Sequence, residues 1–118
     1  MAEVFHGGCL CGWIRFEARG PALNPHTCSC TMCQRHSGAH TVNWVEFPKD
    51  AVTWTGEGGA PETYRSSKIS SRAFCAVCGS TIGAIDDDPV VALVTGVFDD
   101  PNHPQLVPQG HSFVAKRP

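Results

Sequence analysis

The sequence predicts an all-β domain of short antiparallel strands, and three observations carry that reading. The 12 Gly and 9 Pro residues stand as punctuation along the 118-residue chain. Between them lie short runs rich in Val, Ile, Thr, Phe and Trp, the alternation expected of strands and turns. Helical periodicity is confined to one short stretch.

Taken in order, the first strand is expected over residues 13–18, where Ile14 and Phe16 share a face because side chains two apart point the same way. Further strands are expected over 41–47, 51–55, 62–66, 69–74 and 81–85. The apolar run 90–98 reads as a buried strand, and 112–115 as a last short one. Segments 56–61, 86–89 and 99–104, rich in Gly, Asp, Asn and Pro, are turn material. The Asp86-Asp87-Asp88 triplet lacks the Gly and Glu placements of a calcium loop and reads as a solvated turn. The one helix is expected over 31–37, with Ser29 or Thr31 as its cap and Gly38 as its stop. Its first turn would carry Cys33, where backbone N–H groups favour a thiolate and lower its pKa.

A chain of this length suits one domain, 1–118, that buries roughly two-thirds of its unfolded surface. Hydrophobic residues make up 42% and charged residues 17%, with a formal charge of -2, so neither nucleic acid nor a membrane is indicated as a partner. No apolar run approaches the ~20 residues of a membrane span. The opening Met1-Ala2-Glu3-Val4-Phe5-His6-Gly7 has neither a basic nor an apolar leader region, and a cytoplasmic location is expected. Thiols stay reduced there, so seven cysteines, an odd number, point to metal or redox chemistry before a disulfide framework.

The cysteines fall into three clusters: Cys9-Leu10-Cys11, Cys28-Ser29-Cys30-Thr31-Met32-Cys33 and Cys75-Ala76-Val77-Cys78-Gly79. A two-residue gap lets a tight turn aim both sulfurs of Cys75 and Cys78 at one ion, and Gly79 tolerates the positive φ such a turn needs. Cys9 and Cys11 project to one face of an extended segment and can bind jointly. Two pairs make a closed four-thiolate zinc site, and the middle cluster offers three ligands and a vacant fourth position, the mark of a catalytic zinc. The spacing also allows Cys28 or Cys30 to join Cys75 and Cys78. His26 or His36 closing a Cys3His site is a further alternative, as is a single structural zinc with the remaining cysteines merely buried. A thioredoxin-like role for Cys75 and Cys78 lacks the alternating strands and helices it requires. His6, His40, His103 and His111 read as ordinary surface or core histidines.

Four motifs in order carry a family resemblance: Gly7-Gly8-Cys9-Leu10-Cys11-Gly12, the middle cluster followed by Ser37-Gly38-Ala39, Arg72-Ala73-Phe74-Cys75-Ala76-Val77-Cys78-Gly79, and Thr95-Gly96-Val97-Phe98-Asp99-Asp100-Pro101. Together they hold all seven cysteines, and the chain from about Phe5 to His111 resembles the glutathione-dependent formaldehyde-activating family. The resemblance implies a zinc-binding β-tent with Cys9, Cys11, Cys75 and Cys78 at a structural zinc and Cys28, Cys30 and Cys33 at a catalytic zinc, two zinc ions per chain. It implies a carbon-sulfur lyase-type activity resembling S-(hydroxymethyl)glutathione synthase, joining glutathione or a related thiol to formaldehyde or another small aldehyde. Family members usually continue past Pro108-Gln109-Gly110-His111 with a Trp-containing segment, which residues 113–118 do not contain.

A free thiol of pKa near 8.5 is only a few per cent ionised at pH 7, and binding to zinc at its vacant fourth position removes that deficit, worth roughly 2 kcal/mol. Arg35 and His36, just after Cys33, are the candidates for polar work beside the cluster, with a cation there offsetting the thiolate charge. Lys68 and Arg72 are candidates for the carboxylates of glutathione. The competing classes are a non-catalytic zinc module serving as an interaction platform, and a lyase or isomerase acting on another thiol adduct. The sequence leaves a homo-oligomer open.

Overall fold

The computed structural model describes residues 3–112. A three-stranded antiparallel sheet has the order β1-β2-β5, built from β1 (Val4–Gly8), β2 (Arg15–Arg19) and β5 (Val52–Trp54). A seven-stranded sheet, order β10-β3-β4-β9-β8-β7-β6, takes the rest: β3 (Leu23–Cys28), β4 (Val42–Pro48), β6 (Glu62–Arg65), β7 (Ser70–Phe74), β8 (Thr81–Asp86), β9 (Val90–Val94) and β10 (His111–Ser112). All its pairings are antiparallel except that of β10 with β3. The only α-helix among the described residues, α1 (Thr31–Ser37), covers the outer face of the large sheet. The protein is thus mainly β, with the single helix where expected.

The main core lies between the two sheets. Phe5, Ile14, Phe16 and Ala18 from the small sheet side meet Val45, Phe47, Ala73, Ile82 and Leu93 from the large one. Phe16 and Ile14 do share a buried face, as the alternation requires. Phe98 stands edge-on to Phe5 and Phe16, with ring centroids 6.1 and 5.2 Å away. Close approach of backbones demands glycine at several places, Gly83 and Gly7 among them. A Cβ at Gly83 would run into the carbonyl oxygen of Ala92 on β9, and one at Gly7 would strike Val97 and the Phe16 ring.

The structure departs from the sequence pattern at four points. Strands β1 and β3 lie where none is expected. β3 carries Pro25 and a left-handed Asn24 (φ 47°), and its register slips between Leu23 and His26, so no clean alternation advertises it. The apolar run 90–98 is a strand only to Val94. It then turns through a 3-10 segment, Thr95–Val97, which swings Phe98 across to bridge Gly7 of β1. The helix cap is Cys30, whose Sγ accepts the N–H of Cys33, and not Ser29 or Thr31. The strand expected over 112–115 starts earlier, as β10, and its remainder lies outside the described residues.

Candidate metal centres and the pockets beside them

Cys9 and Cys11 leave the end of β1, while Cys75 and Cys78 form the turn between β7 and β8. The turn at Gly12 (φ 84°) folds the first pair so that the Ile14 N–H lies 3.3 Å from Cys9 Sγ. Gly79 (φ 81°) does the same for the second pair: its N–H reaches the Cys75 carbonyl at 2.8 Å, and the Cys78 N–H points at Cys75 Sγ at 3.5 Å. Ser80 joins the two halves. Its hydroxyl oxygen accepts the Leu10 N–H at 3.0 Å, which leaves its proton for Cys78 Sγ at 3.1 Å. The four sulfurs lie within 4.8 Å of one another. Cys11 Sγ is 3.6 Å from Cys9 Sγ and 3.8 Å from Cys75 Sγ. A disulfide would require about 2.05 Å, whereas the edge of a zinc–sulfur tetrahedron with 2.3 Å bonds is about 3.8 Å. The cluster therefore fits a tetrahedral ion, and because Cys9 and Cys75 are also members of the main core, it fastens one sheet to the other.

The second cluster is built on the opposite face of the large sheet. Cys28 ends β3, Cys30 caps α1 and Cys33 points back from the first turn of α1, so that their sulfurs also lie within 4.8 Å of one another. Neither His26 nor His36 brings a ring nitrogen into this group, and no fourth ligand joins it among the described residues. His26 lines the pocket beside the cluster, with its Nδ1 engaged by the Asn24 carbonyl at 2.7 Å. Cys28 and Cys30 do not join Cys75 and Cys78, so the sulfurs divide four and three.

A second feature of this cluster is not foreshadowed by the sequence. Both terminal nitrogens of Arg72, on β7, lie 3.6 Å from Cys33 Sγ, and the guanidinium rests on Trp44 with 5.3 Å between its carbon and the ring centroid. Arg72, a candidate for a substrate carboxylate, has its guanidinium against a cluster sulfur. Lys68 does not partner it: Lys68 sits in the β6–β7 turn, where its carbonyl accepts from Arg65. The only sequence signal for this arrangement is a charged residue and a Trp on strands whose next residues, Ala73 and Val45, face the main core.

The thiols respond to these surroundings. Burial opposes the Cys30 thiolate, but the Cys33 N–H, the neighbouring thiols and the Arg72 charge outweigh it, and the pKa falls below the ordinary thiol value. Burial and the adjacent Cys30 push Cys33 up to about 12, against the pull of Arg72. The helix start therefore favours the capping thiolate, Cys30, and not Cys33 as its position suggested. In the four-cysteine cluster the Ser80 hydroxyl lowers Cys78 to about 5. The Trp13 backbone N–H favours the Cys11 thiolate, but desolvation and the sulfurs around it prevail and push it to about 12. Each cluster thus holds a readily formed thiolate beside a thiol that resists a second negative charge, a conflict a dication resolves. Burial, then the Arg72 charge, lowers the pKa of His36, both of whose ring nitrogens are buried without a partner.

The three sulfurs border a pocket of about 320 Å³ floored by Trp44, Ala84 and Ala92 and rimmed by Glu46 and Asp86. The register aligns Glu46, Ala92, Ala84, Arg72 and Tyr64 across five strands, so the two alanines leave room between larger flanks. Across Met32 and Arg72, which border both spaces, lies a larger pocket of about 820 Å³, walled by α1 and the β6–β7 hairpin. Arg35 and His36 line this larger pocket and not the one at the sulfurs.

No helix among the described residues is long and apolar enough to cross a membrane. A solved structure of a Rhodobacter sphaeroides protein is similar in fold, with a TM-score of 0.69 at 18% identity, over 91% of this chain and 99% of that one. The sequence profile described as "Glutathione-dependent formaldehyde-activating enzyme" matches residues 4–116, which include all seven cysteines and both clusters. With the match spanning nearly the whole chain, this protein belongs to the glutathione-dependent formaldehyde-activating family.

Proposed function

We propose that the chain is a single zinc-dependent catalytic domain that joins a thiol to a small aldehyde in the cytoplasm, a carbon-sulfur lyase-type reaction run in the direction of addition. The observation that carries this reading is the three-sulfur cluster of Cys28, Cys30 and Cys33, which lacks a fourth protein ligand among the described residues and opens onto a pocket. Cys9, Cys11, Cys75 and Cys78 are the structural site of this proposal. Zinc bound at the three-cysteine cluster supplies the positive charge that keeps an incoming thiol ionised at neutral pH.

The chain's own contribution is electrostatic and geometric. Arg72 offsets the negative charge of the cluster through Cys33, and the Cys33 N–H does so through Cys30. The alanine floor admits a small carbonyl compound next to the sulfurs. In the addition, sulfur bonds to the carbonyl carbon, the C=O π pair moves to oxygen, and the thiol proton ends on that oxygen, so no oxidant or reductant is consumed. Holding the two reactants together is worth several kcal/mol, more than the roughly 2 kcal/mol from ionising the thiol.

The test combines glutathione and formaldehyde with zinc-loaded protein and follows the S-CH2-OH protons of the adduct by NMR. Formation above the spontaneous rate, lost in Cys30→Ser, supports the reading. A rate equal to the spontaneous one across a panel of thiols and aldehydes turns the same clusters into those of a non-catalytic zinc module.

A further inference from the structure

The larger pocket is out of scale with the aldehyde. Pockets of about 300–1,000 Å³ accommodate drug-sized ligands, and at about 820 Å³ this one lies well inside that range. Its walls are mainly apolar: Met32 from α1 faces Tyr64 and Phe74 from the hairpin, and Tyr64 is 70% exposed. The charges on it are of one sign. Arg35 and Arg72 line it, no carboxylate does, and Arg35 makes no ion pair among the described residues. His36 adds two buried ring nitrogens with no partner, groups that a polar ligand atom would satisfy. The pocket also adjoins the one at the cluster, with Met32 and Arg72 bordering both spaces.

We propose that this pocket holds the body of the thiol substrate, and that the body it fits is an aromatic or branched apolar group carrying a carboxylate, with Arg35 as the specificity-determining contact. This rests on the reading of the three-cysteine cluster as the reaction site. Glutathione has carboxylates for the guanidinium but little apolar surface for the Met32, Tyr64 and Phe74 walls, and its ammonium group meets two like charges here. An arylalkyl thiol acid satisfies both walls and charge.

The experiment separates binding from chemistry. Zinc-loaded protein is titrated calorimetrically with 3-phenylpropionate, which has no thiol, with the uncharged 3-phenylpropan-1-ol, and with S-methylglutathione. The acid is expected to bind more tightly than either. In Arg35→Gln, an exposed change that leaves the clusters intact, its affinity should fall about 10- to 100-fold to match that of the alcohol. In parallel, adduct formation from formaldehyde is compared for 3-phenyl-2-sulfanylpropanoate and glutathione, with a higher kcat/KM expected for the aryl thiol. An acid that does not bind, or that binds Arg35→Gln equally well, overturns the inference, as does a higher kcat/KM for glutathione. The two readings fail differently. Arg35-dependent binding of the acid without acceleration of any thiol removes the catalytic reading alone, and acceleration of glutathione without binding of the acid removes the pocket alone.

Discussion

Replacing Arg72 with Met keeps much of the length of the side chain and its packing on Trp44 but removes the charge and the two N–H groups facing Cys33. Both nitrogens stand 3.6 Å from one sulfur, so the loss falls on one ligand of the three-cysteine site and on none of the four-cysteine site. Outer-shell partners of metal ligands are worth about 10- to 100-fold in metal affinity, or roughly 1.4 to 2.7 kcal/mol. The stacking on Trp44, at 5.3 Å, contributes about 0.5 to 2 kcal/mol to the fold separately. Zinc release to a chromophoric chelator at fixed pH should show two steps in the wild type. In Arg72→Met the tighter step should be unmoved, which also reports that the domain is folded, and the weaker step should shift by the stated factor. Arg72→Lys should recover part of the shift, since it restores the charge but not the fork of two donors. An unchanged second step in Arg72→Met would refute the argument, because the guanidinium would then be packing on Trp44 without sensing the cluster.

Cys78→Ser should unfold or aggregate the protein, since structural zinc sites supply roughly 10 to 16 kcal/mol against a total stability of ~5 to 15 kcal/mol; circular dichroism with a zinc count checks it. Cys30→Ser should lose one zinc and the thiol-dependent activity and keep a cooperative melt, and unfolding like that of Cys78→Ser would make the second site structural as well. Gly83→Ala should cost about 1 to 3 kcal/mol in urea denaturation, because the new methyl group meets the Ala92 carbonyl. Asp99, held below the usual carboxylate range by the Arg15 guanidinium, contributes stability that is present above its unfolded pKa of ~3.9 and lost as pH falls through its lower folded value. Its side chain is 56% exposed, so Asp99→Asn should cost only about 0.2 to 1 kcal/mol at pH 7, and that cost should shrink as pH falls through the lowered pKa.

How much of this was legible depended on whether the signal was local. The Thr31–Ser37 helix has Gly38 as its stop in sequence and forms over the expected residues, although its cap is Cys30 and neither Ser29 nor Thr31. Turn chemistry, a local property, marks the three cysteine clusters, but spacing left open which of them joins Cys75 and Cys78, and the four-and-three division is settled by a contact 64 residues apart in sequence. Strand β3 was hidden because its irregularities, a left-handed Asn24 and Pro25, are tolerated only where β4 and β10 pair on either side of it. The break after Val94 was hidden for the converse reason: the run stays apolar through Phe98, and it is the demand of Phe5 and Phe16 for a third ring that turns the chain. In sequence Arg72 is only a candidate for a substrate carboxylate. Only the pairing of β7 with β8, and of β4 with β9, brings it over Trp44 and onto Cys33. Partners set by non-local register are what a single sequence conceals.

The same logic explains why two clusters of identical ligand chemistry suit different tasks on the proposed reading. Cys11 and Cys75 are 64 residues apart, in the turns that follow β1 of one sheet and β7 of the other, so an ion between them closes a long loop. On the loop-closure scale a link of that span restricts the unfolded chain by roughly 4 kcal/mol. Cys28, Cys30 and Cys33 lie within one strand end and one helical turn, and a link between them restricts the chain by only about 2 kcal/mol. The first site is therefore placed where losing the ion loosens both sheets, and a fourth ligand there serves stability. The second borrows its rigidity from a sheet and a helix that hold without it. A missing fourth ligand costs the fold little at that position, and the vacancy can serve a substrate.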